Sequence, residues 1–402
     1  MSDLLSVDDA LARLLEDAAP LGAETVDIAA AGGRVLAQDV VAQRTQPPFD
    51  ASAMDGYAVR ADDISDLPAT LRVIGESIAG KRFVGDLNPG EAVRIFTGAP
   101  VPQGADTVLL QEDARRMPDG GVEVLEATER GRHIRRAGLD FSKGDRLLEP
   151  GRWLDAAALS LAAAGNHAHL AVVRQPLVAV LATGTELVAP GALPGPDQIV
   201  ASNGLGIGLL AREAGAAVLD LGIAPDDRDV IASAVSRAVD AGADIVVTLG
   251  GASVGDHDLV REVLTGQGMS LDFWKIRMRP GKPLMFGRFG TRRVLGLPGN
   301  PVSSLVCAHL FLRPLIARLA GIEWRPDIRS ATLAAAMKAN DHRQDYVRAK
   351  VTEEAAGLVA TPFDTQDSSM LTTLADANAL IVREPHAPGA AKGAACRVLM
   401  LR

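Results

Sequence analysis

The chain has 402 residues, of which 48% are hydrophobic and 23% are charged. This length exceeds one ordinary hydrophobic core, so it predicts two to four domains. The 50 acidic and 41 basic side chains give a net charge of −9, which argues against a broad nucleic-acid or anionic-membrane surface but still permits a small anionic ligand.

The first predicted element is a helix that follows Ser6, with apolar residues at helical spacing from Val7 to Ala18. Residues 34–41 read as a strand. Residues 153–164 are rich in alanine and leucine and predict another helix, which Gly165 ends. We expect the two helices to pack together in a discontinuous linker and dimerisation domain, residues 1–45 plus 146–176.

Residues 46–145 contain short strand patterns separated by Gly, Pro and Asp turns, at residues 71–74, 92–96, 107–110 and 122–125. They predict a small, mostly β domain. Asp50 and Asp55 lie five residues apart in a turn-rich segment, where carboxylates usually bond their own backbone. A basic cluster at residues 132–136 is slightly more typical of a solvated face than of an anion site.

Residues 177–324 alternate between strand and helix patterns, which predicts a three-layer α/β/α domain around a parallel sheet. The strands are expected at residues 178–182, 217–222, 245–249 and 293–297. The helices are expected at residues 203–214, 229–241 and 259–264.

Small-residue turns follow three of these strands: Thr183-Gly184-Thr185-Glu186, Gly250-Gly251-Ala252-Ser253 and Pro298-Gly299-Asn300-Pro301. The carboxyl ends of parallel strands meet at one edge of a sheet, so the three turns are expected to line one ligand-binding crevice. In such a turn, backbone N–H groups and a helix N-terminus can hold an oxyanion without a basic side chain. The Gly-Gly turn alone is equally compatible with a purely structural bend.

Two further segments carry polar residues. Arg279 and Lys282 stand on either side of a stiff Pro-Gly turn, and a phosphate-facing and a solvent-facing role are equally compatible with it. Residues 325–402 predict a second small β domain, in which Arg348 and the Ser368-Ser369 pair are the notable polar residues.

The two cysteines, Cys307 and Cys396, lie far apart and match no metal-binding spacing, so buried thiols in a reducing compartment are expected. The N-terminus lacks the pattern of a signal peptide, and no uninterrupted apolar run reaches the roughly 18 residues of a membrane span. We therefore expect a soluble, cytoplasmic protein.

Five segments together resemble the molybdopterin molybdenumtransferases, called MoeA in bacteria and found as the E domain of gephyrin. The segments are residues 52–59, 97–102, 250–255, 280–283 and 296–303. Each is a weak marker by itself, but all five in this order are highly specific. The resemblance covers essentially the whole chain.

The resemblance implies an enzyme that takes adenylylated molybdopterin and molybdate, inserts molybdenum at the dithiolene, and releases AMP with the help of Mg²⁺. It also implies an elongated homodimer whose active cleft joins the α/β domain of one subunit to the β domain, with Asp55, of the other. A molybdopterin adenylyltransferase and maturation factors of molybdoenzymes are the further expected partners.

The family pattern also implies roles for individual residues. It places catalytic roles on Asp55, Thr97, Asp140, Glu186 and Asp258. It places ligand-binding roles on Gly250, Gly251, Ser253, Gly255, Arg279, Lys282, Pro298, Pro301, Arg348 and Ser368. Mg²⁺ prefers hard oxygen ligands, so the expected metal ligands are Glu186, Asp226, Asp227 and Asp258.

Two positions depart from the family pattern. Arg279 stands where the family often has lysine, which keeps the charge but replaces a point donor by a planar fork. Gly204 stands where an arginine or a similar polar residue follows the Ser-Asn pair, which removes one candidate ligand contact.

Two alternatives remain open at this point. A molybdopterin adenylyltransferase would use the same α/β domain, but the β segments at residues 46–145 and 325–402 argue against it. An interaction scaffold that keeps the fold is the second alternative, and the retained acidic positions argue against that. The residues do not distinguish molybdenum from tungsten, whose oxyanions are of nearly equal size.

Overall fold

The structure is a computed structural model that describes residues 4–250 and 259–401. The chain divides into two compact units. Unit 1 comprises Met1–Glu24, Gly33–Val35 and Val172–Arg402, and unit 2 comprises Thr25–Gly32 and Leu36–Ala171. The finer division into four domains stays a prediction.

The α-helices are α1 (Val7–Leu15), α2 (Ala156–Ala164), α3 (Asn203–Glu213), α4 (Arg228–Asp240), α5 (Leu259–Gly266), α6 (Pro301–Cys307), α7 (Arg313–Leu319) and α8 (Leu371–Asp376). A π-helical segment, Ala308–Leu312, connects α6 to α7. Three short 3₁₀ helices are Ile28–Ala30, Ala61–Ile64 and Gln111–Asp113.

The strands up to residue 173 are β1 (Ala23–Asp27), β2 (Val40–Val41), β3 (Ala51–Ser52), β4 (Gly56–Val59), β5 (Ala69–Ser77), β6 (Glu91–Ile95), β7 (Thr107–Leu110), β8 (Ala114–Arg116), β9 (Val122–Val124), β10 (Ile134–Arg135), β11 (Arg146–Leu148) and β12 (His169–Val173).

The remaining strands are β13 (Leu177–Thr183), β14 (Leu187–Val188), β15 (Ile199–Val200), β16 (Ala217–Ala224), β17 (Ile245–Leu249), β18 (Ser270–Phe273), β19 (Met278–Arg279), β20 (Met285–Phe289), β21 (Arg292–Leu297), β22 (Ile328–Leu333), β23 (Gln344–Glu354), β24 (Gly357–Pro362), β25 (Ala379–Arg383) and β26 (Ala395–Met400).

Unit 2 is built on a six-stranded sheet in the order β7-β4-β6-β5-β9-β8, and its smaller ribbons pair β10 with β3 and β11 with β2. Strand β4 is buried along its whole length because it lies between β6 and β7. The segment predicted as a strand at residues 34–41 forms only the two-residue β2.

The central sheet of unit 1 has the order β16-β13-β17-β21-β20-β18. Strands β13 and β17 are almost continuously buried, as expected for parallel strands that are covered on both faces. Val178 and Val180 face the cluster that contains α3, α6 and α7, whereas Ala179 and Leu181 face the cluster that contains α4 and α5. The predicted three-layer α/β/α architecture is therefore confirmed.

Two features of unit 1 differ from the prediction. The sheet is mixed, because β20 runs antiparallel to β21 and β18 runs antiparallel to β20. The buried residues of helix α1, Val7, Ala10 and Leu14, belong to the core of the α/β domain. Helical spacing shows which face of α1 is apolar but not which core receives it.

The C-terminal sheet of unit 1 has the order β19-β23-β24-β22-β26-β25, and β25 also pairs with β23. That additional pairing closes the sheet into a barrel. The helical run Pro301–Leu319 is long and apolar enough to cross a membrane by length and composition, but 72% of its most apolar window is buried inside the protein. Such burial is typical of a core helix.

Candidate functional site

The turns after the parallel strands of unit 1 lie together at one edge of the sheet. The N–H of Gly250 donates to the Leu297 carbonyl at 3.2 Å, and Thr183 Oγ1 donates to the Leu249 carbonyl at 3.2 Å. Gly250 has a φ of 95°, and a Cβ on it would lie 2.5 Å from the Thr183 carbonyl oxygen. A side chain there would collide with rigid backbone, so the close approach of the two turns requires glycine.

The Pro298–Pro301 turn is held from two sides by amide side chains. Asn203 Nδ2, in the first turn of α3, donates to the Gly299 carbonyl at 2.6 Å. Asn300 Nδ2 donates to Ser368 Oγ at 2.8 Å. The N–H of Val302 also donates to the Ser368 carbonyl at 3.1 Å, so the structure brings Ser368 to the turn.

These contacts give roles to residues that sequence reasoning missed. Ser202 makes no side-chain cap bond at the start of α3, and Asn203 bonds the neighbouring turn. Asn300 was noted only as part of the Pro-Gly-Asn-Pro turn. The available signal for this contact was an asparagine in a turn that is bounded by two prolines, because the amide side chain of asparagine can donate hydrogen bonds to a neighbouring segment.

Glu186 and Asp226 flank the turn that follows β13. A Cβ on Gly184 would lie 2.6 Å from Glu186 Oε2, so the Glu186 carboxylate lies against that glycine. Asp226 Oδ2 accepts from the Thr185 N–H at 3.3 Å and from Thr185 Oγ1 at 3.5 Å, both long bonds. Both carboxylates are exposed, which leaves them accessible to a ligand.

Asp227 has a structural role in this arrangement. It is the N-cap of α4, where its Oδ1 accepts from the N–H groups of Asp229 at 2.9 Å and Val230 at 3.0 Å. This bonding competes with the expected metal-binding role. Across residues 4–250 and 259–401, no three His, Cys, Asp or Glu side chains gather in a way that could hold a metal ion.

The two cations of the Pro-Gly turn differ in their surroundings. Arg279 donates from Nε to Asp345 Oδ1 at 3.1 Å, also pairs with Asp345 through Nη2, and reaches Asp341 Oδ2 at 3.5 Å. Its charge is therefore largely balanced inside the chain. Lys282 is exposed, and within the described part of the chain its ammonium group forms no ion pair.

Arg348 is buried against a neighbouring loop. Its side chain is only 1% exposed, and it donates to Gln366 Oε1 at 3.1 Å from Nε and to the Asp367 carbonyl at 2.7 Å from Nη1. The ligand-binding role implied for Arg348 stays a prediction; in the structure its guanidinium holds the segment that carries Ser368. A strand pattern does not reveal whether a long polar side chain is covered by a later loop.

In unit 2, Asp55 and Thr97 form a compact pair. Asp55 Oδ1 accepts from the Thr97 N–H and from Thr97 Oγ1, each at 2.8 Å. These two donors are the main reason that the pKa of Asp55 lies below its ordinary value, and the positive charge of Arg94 contributes further. Asp55 is thus exposed and held as a carboxylate.

Gly56 fixes the backbone next to Asp55. A Cβ at this position would lie 1.9 Å from the Leu109 carbonyl oxygen, so only glycine fits between β4 and β7. Asp140 is also exposed in unit 2, and its N–H donates to the Gln46 carbonyl at 3.1 Å. Within the described residues, no bond brings Asp140 to the Asp55 and Thr97 pair.

The basic cluster at residues 132–136 is partly accounted for by structure. Arg136 pairs with Asp50 through Nη1 and Oδ2 at 2.5 Å, and Asp50 also accepts from the Ala137 N–H at 2.8 Å. Asp50 is therefore a turn carboxylate, as its pattern predicted. Gly251, Ser253, Gly255 and Asp258, which complete the expected site, lie outside the described residues.

A mixed α/β domain with a loop-lined edge, together with small β domains, defines a multidomain ligand-binding protein of the doubly wound class. Family comparison makes this specific. Residues 5–165 match the MoeA N-terminal region (domain I and II), residues 179–318 match the probable molybdopterin binding domain, and residues 330–401 match the MoeA C-terminal region (domain IV).

Named relatives agree over the full length. The molybdopterin molybdenumtransferase of Haemophilus influenzae is 37% identical over 385 residues, which cover 95% of each chain. That of Bacillus subtilis is 34% identical over 406 residues, which cover 99% of this chain and 94% of the relative. A crystal structure of the molybdopterin biosynthesis MoeA protein from Pyrococcus horikoshii superposes with a TM-score of 0.83 at 30% identity, covering both chains completely.

The chain belongs to the molybdopterin molybdenumtransferase family. The family resemblance and the multidomain α/β fold class predicted from sequence are both confirmed. Matches to the MoeA N-terminal and C-terminal regions also exclude the adenylyltransferase alternative, which predicted an α/β domain alone.

Proposed function

We propose that the chain is a transferase of molybdenum cofactor biosynthesis, which inserts molybdenum from molybdate into adenylylated molybdopterin and releases AMP. The observation that carries the proposal is the full-length relationship to named molybdopterin molybdenumtransferases. Molybdenum insertion itself has this direct support. The adenylylated form of the substrate and the release of AMP are the finer part of the proposal.

The crevice of unit 1 supplies the groups that bind an anionic substrate. Lys282 offers an exposed cation, and the Gly250 turn lies against its neighbours, with the Gly250 N–H itself bonded to the Leu297 carbonyl. Ser368, held by Asn300, adds a hydroxyl at the Pro298–Pro301 turn. One ammonium and one hydroxyl form a donor set that suits phosphate or molybdate oxygens.

Asp55 supplies a different kind of group. Because Thr97 occupies Oδ1 with two donors, the carboxylate has a fixed orientation, and it stays ionised at neutral pH. We propose that Asp55 orients the attacking oxygen. An ionised carboxylate can do this by accepting a proton or a hydrogen bond from it. Cleavage of an adenylyl phosphate depends on charge stabilisation and on such positioning.

Mg²⁺ is part of the proposal. The donor chemistry fits: Glu186 and Asp226 present exposed carboxylates on either side of one turn, and Mg²⁺ is usually held by one or two carboxylates together with substrate phosphates. When bound, the ion would offset phosphate charge. Asp227 fits less well because its Oδ1 caps α4, and Asp258 remains a proposed ligand outside the described residues.

The test is release of AMP from adenylylated molybdopterin, with molybdate and Mg²⁺ each present or omitted. We expect release that requires both ions and falls at least tenfold in Asp55→Ala, a loss typical of removing an acid–base group. Asp66→Ala, which removes an exposed carboxylate elsewhere in unit 2, is the matched control and should behave as wild type. Absence of AMP release under every condition would refute the finer proposal and bring the scaffold alternative forward.

The assembly and location of the protein belong to the same proposal and rest on the resemblance. We infer a homodimer whose active cleft is completed by two subunits, a cytoplasmic location, and transfer of the substrate from a molybdopterin adenylyltransferase. Maturation factors of molybdoenzymes would receive the product. Neither nucleic acid nor membrane is an expected partner, and the net charge of −9 supports this.

A further inference from the structure

Arg94 lies beside the pair that Asp55 and Thr97 form. It belongs to β6, three residues before Thr97, and it is paired with Tyr57 across the β4–β6 ladder. Its side chain is half-buried and lines a groove of about 960 Å³ in unit 2, together with Tyr57, Phe96 and Gln111. Neither the family resemblance nor the proposed function assigns it a role.

The guanidinium group bonds one backbone carbonyl and one side chain next to Asp55. Arg94 Nη1 donates to the Gly56 carbonyl at 3.1 Å, one residue after Asp55. Nη2 donates to Gln111 Oε1 at 2.7 Å, and the N–H of Gln111 donates to the Asp55 carbonyl at 3.2 Å. The planar fork therefore connects β4 to the turn after β7, and Asp55 lies between the two attachment points.

Aromatic rings hold the guanidinium in this orientation. Arg94 Cζ lies 5.0 Å from the ring centroid of Tyr57 and 5.0 Å from that of Phe96. A planar guanidinium can stack on aromatic rings at this distance, whereas the ammonium group of lysine acts as a point charge on a flexible stem. Phe96 directly precedes Thr97, so the same contact also restrains the residue that orients the Asp55 carboxylate.

The charge of Arg94 reaches Asp55 as well. It contributes to the lowered pKa of that carboxyl, after the two bonds from Thr97. The other titratable side chains near this segment include Glu76, which is paired with Arg94 across the β5–β6 ladder and lines the same groove. They also include Glu112, exposed beside Gln111, and His133, whose carbonyl accepts from the Ala53 N–H. Within the described part of the chain, none of these three side chains bonds to Asp55.

We infer that Arg94 is a positioning residue for the proposed reaction: its guanidinium fork fixes Asp55 and Thr97 in the orientation that the metal-insertion step needs. It touches no reacting atom. The inference rests on the proposed function for its catalytic consequence, but the positioning of Asp55 can be measured without any turnover.

The experiment uses full-length protein with Arg94→Gln, Arg94→Lys and Arg116→Gln. Gln removes the charge and the fork, whereas Lys keeps the charge but replaces the fork by a point donor. Arg116 is an exposed arginine on the rim of the same groove and serves as the control. The first readout is the pH titration of the Thr97 amide proton by NMR, because that N–H donates directly to the Asp55 carboxylate.

We expect the titration midpoint to move to higher pH in Arg94→Gln, because the cation that favours the ionised carboxylate is gone. It should stay near the wild-type value in Arg94→Lys and Arg116→Gln. The second readout is steady-state AMP release. Misplacement by a fraction of an ångström should lower kcat about 10-fold to 100-fold in both Arg94 variants, with a smaller change in KM. Arg116→Gln should keep the wild-type kcat.

Wild-type titration and wild-type kcat in Arg94→Gln would overturn the inference, even if the thermal midpoint falls, because Arg94 would then only stabilise the fold. If Arg94→Gln does not fold, Arg94→Lys decides: a reduced kcat supports positioning, and a wild-type kcat overturns it. If no variant releases AMP, including wild type, the proposed function fails. The Thr97 amide titration then still shows whether Arg94 acts on Asp55.

Discussion

The Asp55 carboxyl is kept ionised by hydrogen-bond donors, not by its degree of burial. Two bonds from Thr97 lower its pKa, and the side chain stays exposed. Exposure leaves its second oxygen open to a substrate, while the bonded oxygen keeps the carboxylate from rotating. A carboxylate prepared in this way is ionised well below neutral pH, so activity should be insensitive to pH on the acidic side until Asp55 protonates.

Thr97→Val tests this at the level of one bond. Valine keeps the shape and the backbone N–H but removes the hydroxyl donor, so the pKa of Asp55 should rise toward its ordinary value. Activity that needs the ionised carboxylate should then be lost at a higher pH as the solution is acidified. The measurement is the pH profile of kcat for AMP release. Thr352→Val, at an exposed position on β23, is the control, and an unmoved acidic limb in Thr97→Val would contradict the assignment.

Gly250 and Gly204 form a matched pair for stability. Gly250→Ala places a Cβ 2.5 Å from a backbone oxygen at a φ of 95°, so we expect a loss of about 1–3 kcal/mol in the free energy of unfolding. At Gly204, near the start of α3, the nearest atom to a new Cβ is Leu249 Cδ1 at 3.9 Å. Gly204→Ala should therefore be neutral or stabilise by up to about 1 kcal/mol. Urea denaturation monitored by circular dichroism measures both.

Elements whose signal is local were predictable from the sequence. The pattern at residues 107–110 matches β7, and the helices predicted at 203–214 and 229–241 differ from α3 and α4 by a residue at their ends. The alternation of β-branched strands with helices was sufficient for the three layers. Strands β18 and β20 were not predicted, because they contain Asp272 and Gly287, residue types that are depleted in strands. Their antiparallel direction follows only from their pairing.

The site divides in the same way. The positions of the strand ends predicted which turns lie together, because the carboxyl ends of parallel strands meet at one edge of the sheet. The close approach of Thr183, Gly250 and Gly299 agrees with this prediction. The environment of each long side chain was not predictable. Arg348 is covered by the loop around Gln366, which lies 18 residues later in the chain, and Asp227 has the ordinary role of a helix cap.

Arg348 links strand β23 to the loop that carries Ser368, so its replacement should weaken the attachment of that loop to the strand. Arg348→Met removes the guanidinium donor of Gln366 Oε1 and of the Asp367 carbonyl, so each acceptor keeps only a backbone N–H, which should cost about 1–3 kcal/mol of stability. It should also increase proteolysis at residues 363–369. Arg329→Met, at a half-exposed arginine that pairs with nearby Asp327, should change stability by less than about 1 kcal/mol. Equal effects of the two substitutions would show that the loop does not depend on Arg348.

At the scale of the whole molecule, the chain separates two kinds of chemistry. The turns proposed to hold the anionic substrate, Lys282 and Ser368 belong to unit 1, whereas Asp55 and Thr97 belong to unit 2. In the proposed homodimer, each cleft would combine Asp55 from one subunit with Lys282 from the other. Two variants that are each inactive would then complement each other.

Mixing Asp55→Ala with Lys282→Ala subunits tests that statement. In a mixed dimer, one cleft would carry both substitutions and the other neither, so each mixed dimer should have about half the activity of a wild-type dimer. Statistical mixing makes half of the dimers mixed, so the total should be about a quarter of wild-type AMP release per subunit. Asp55→Ala mixed with Asp55→Ala,Lys282→Ala is the control and should stay inactive, because no intact cleft can form. Activity no higher than in the separate variants, with subunit exchange demonstrated by mass spectrometry, would mean that each subunit completes its own site.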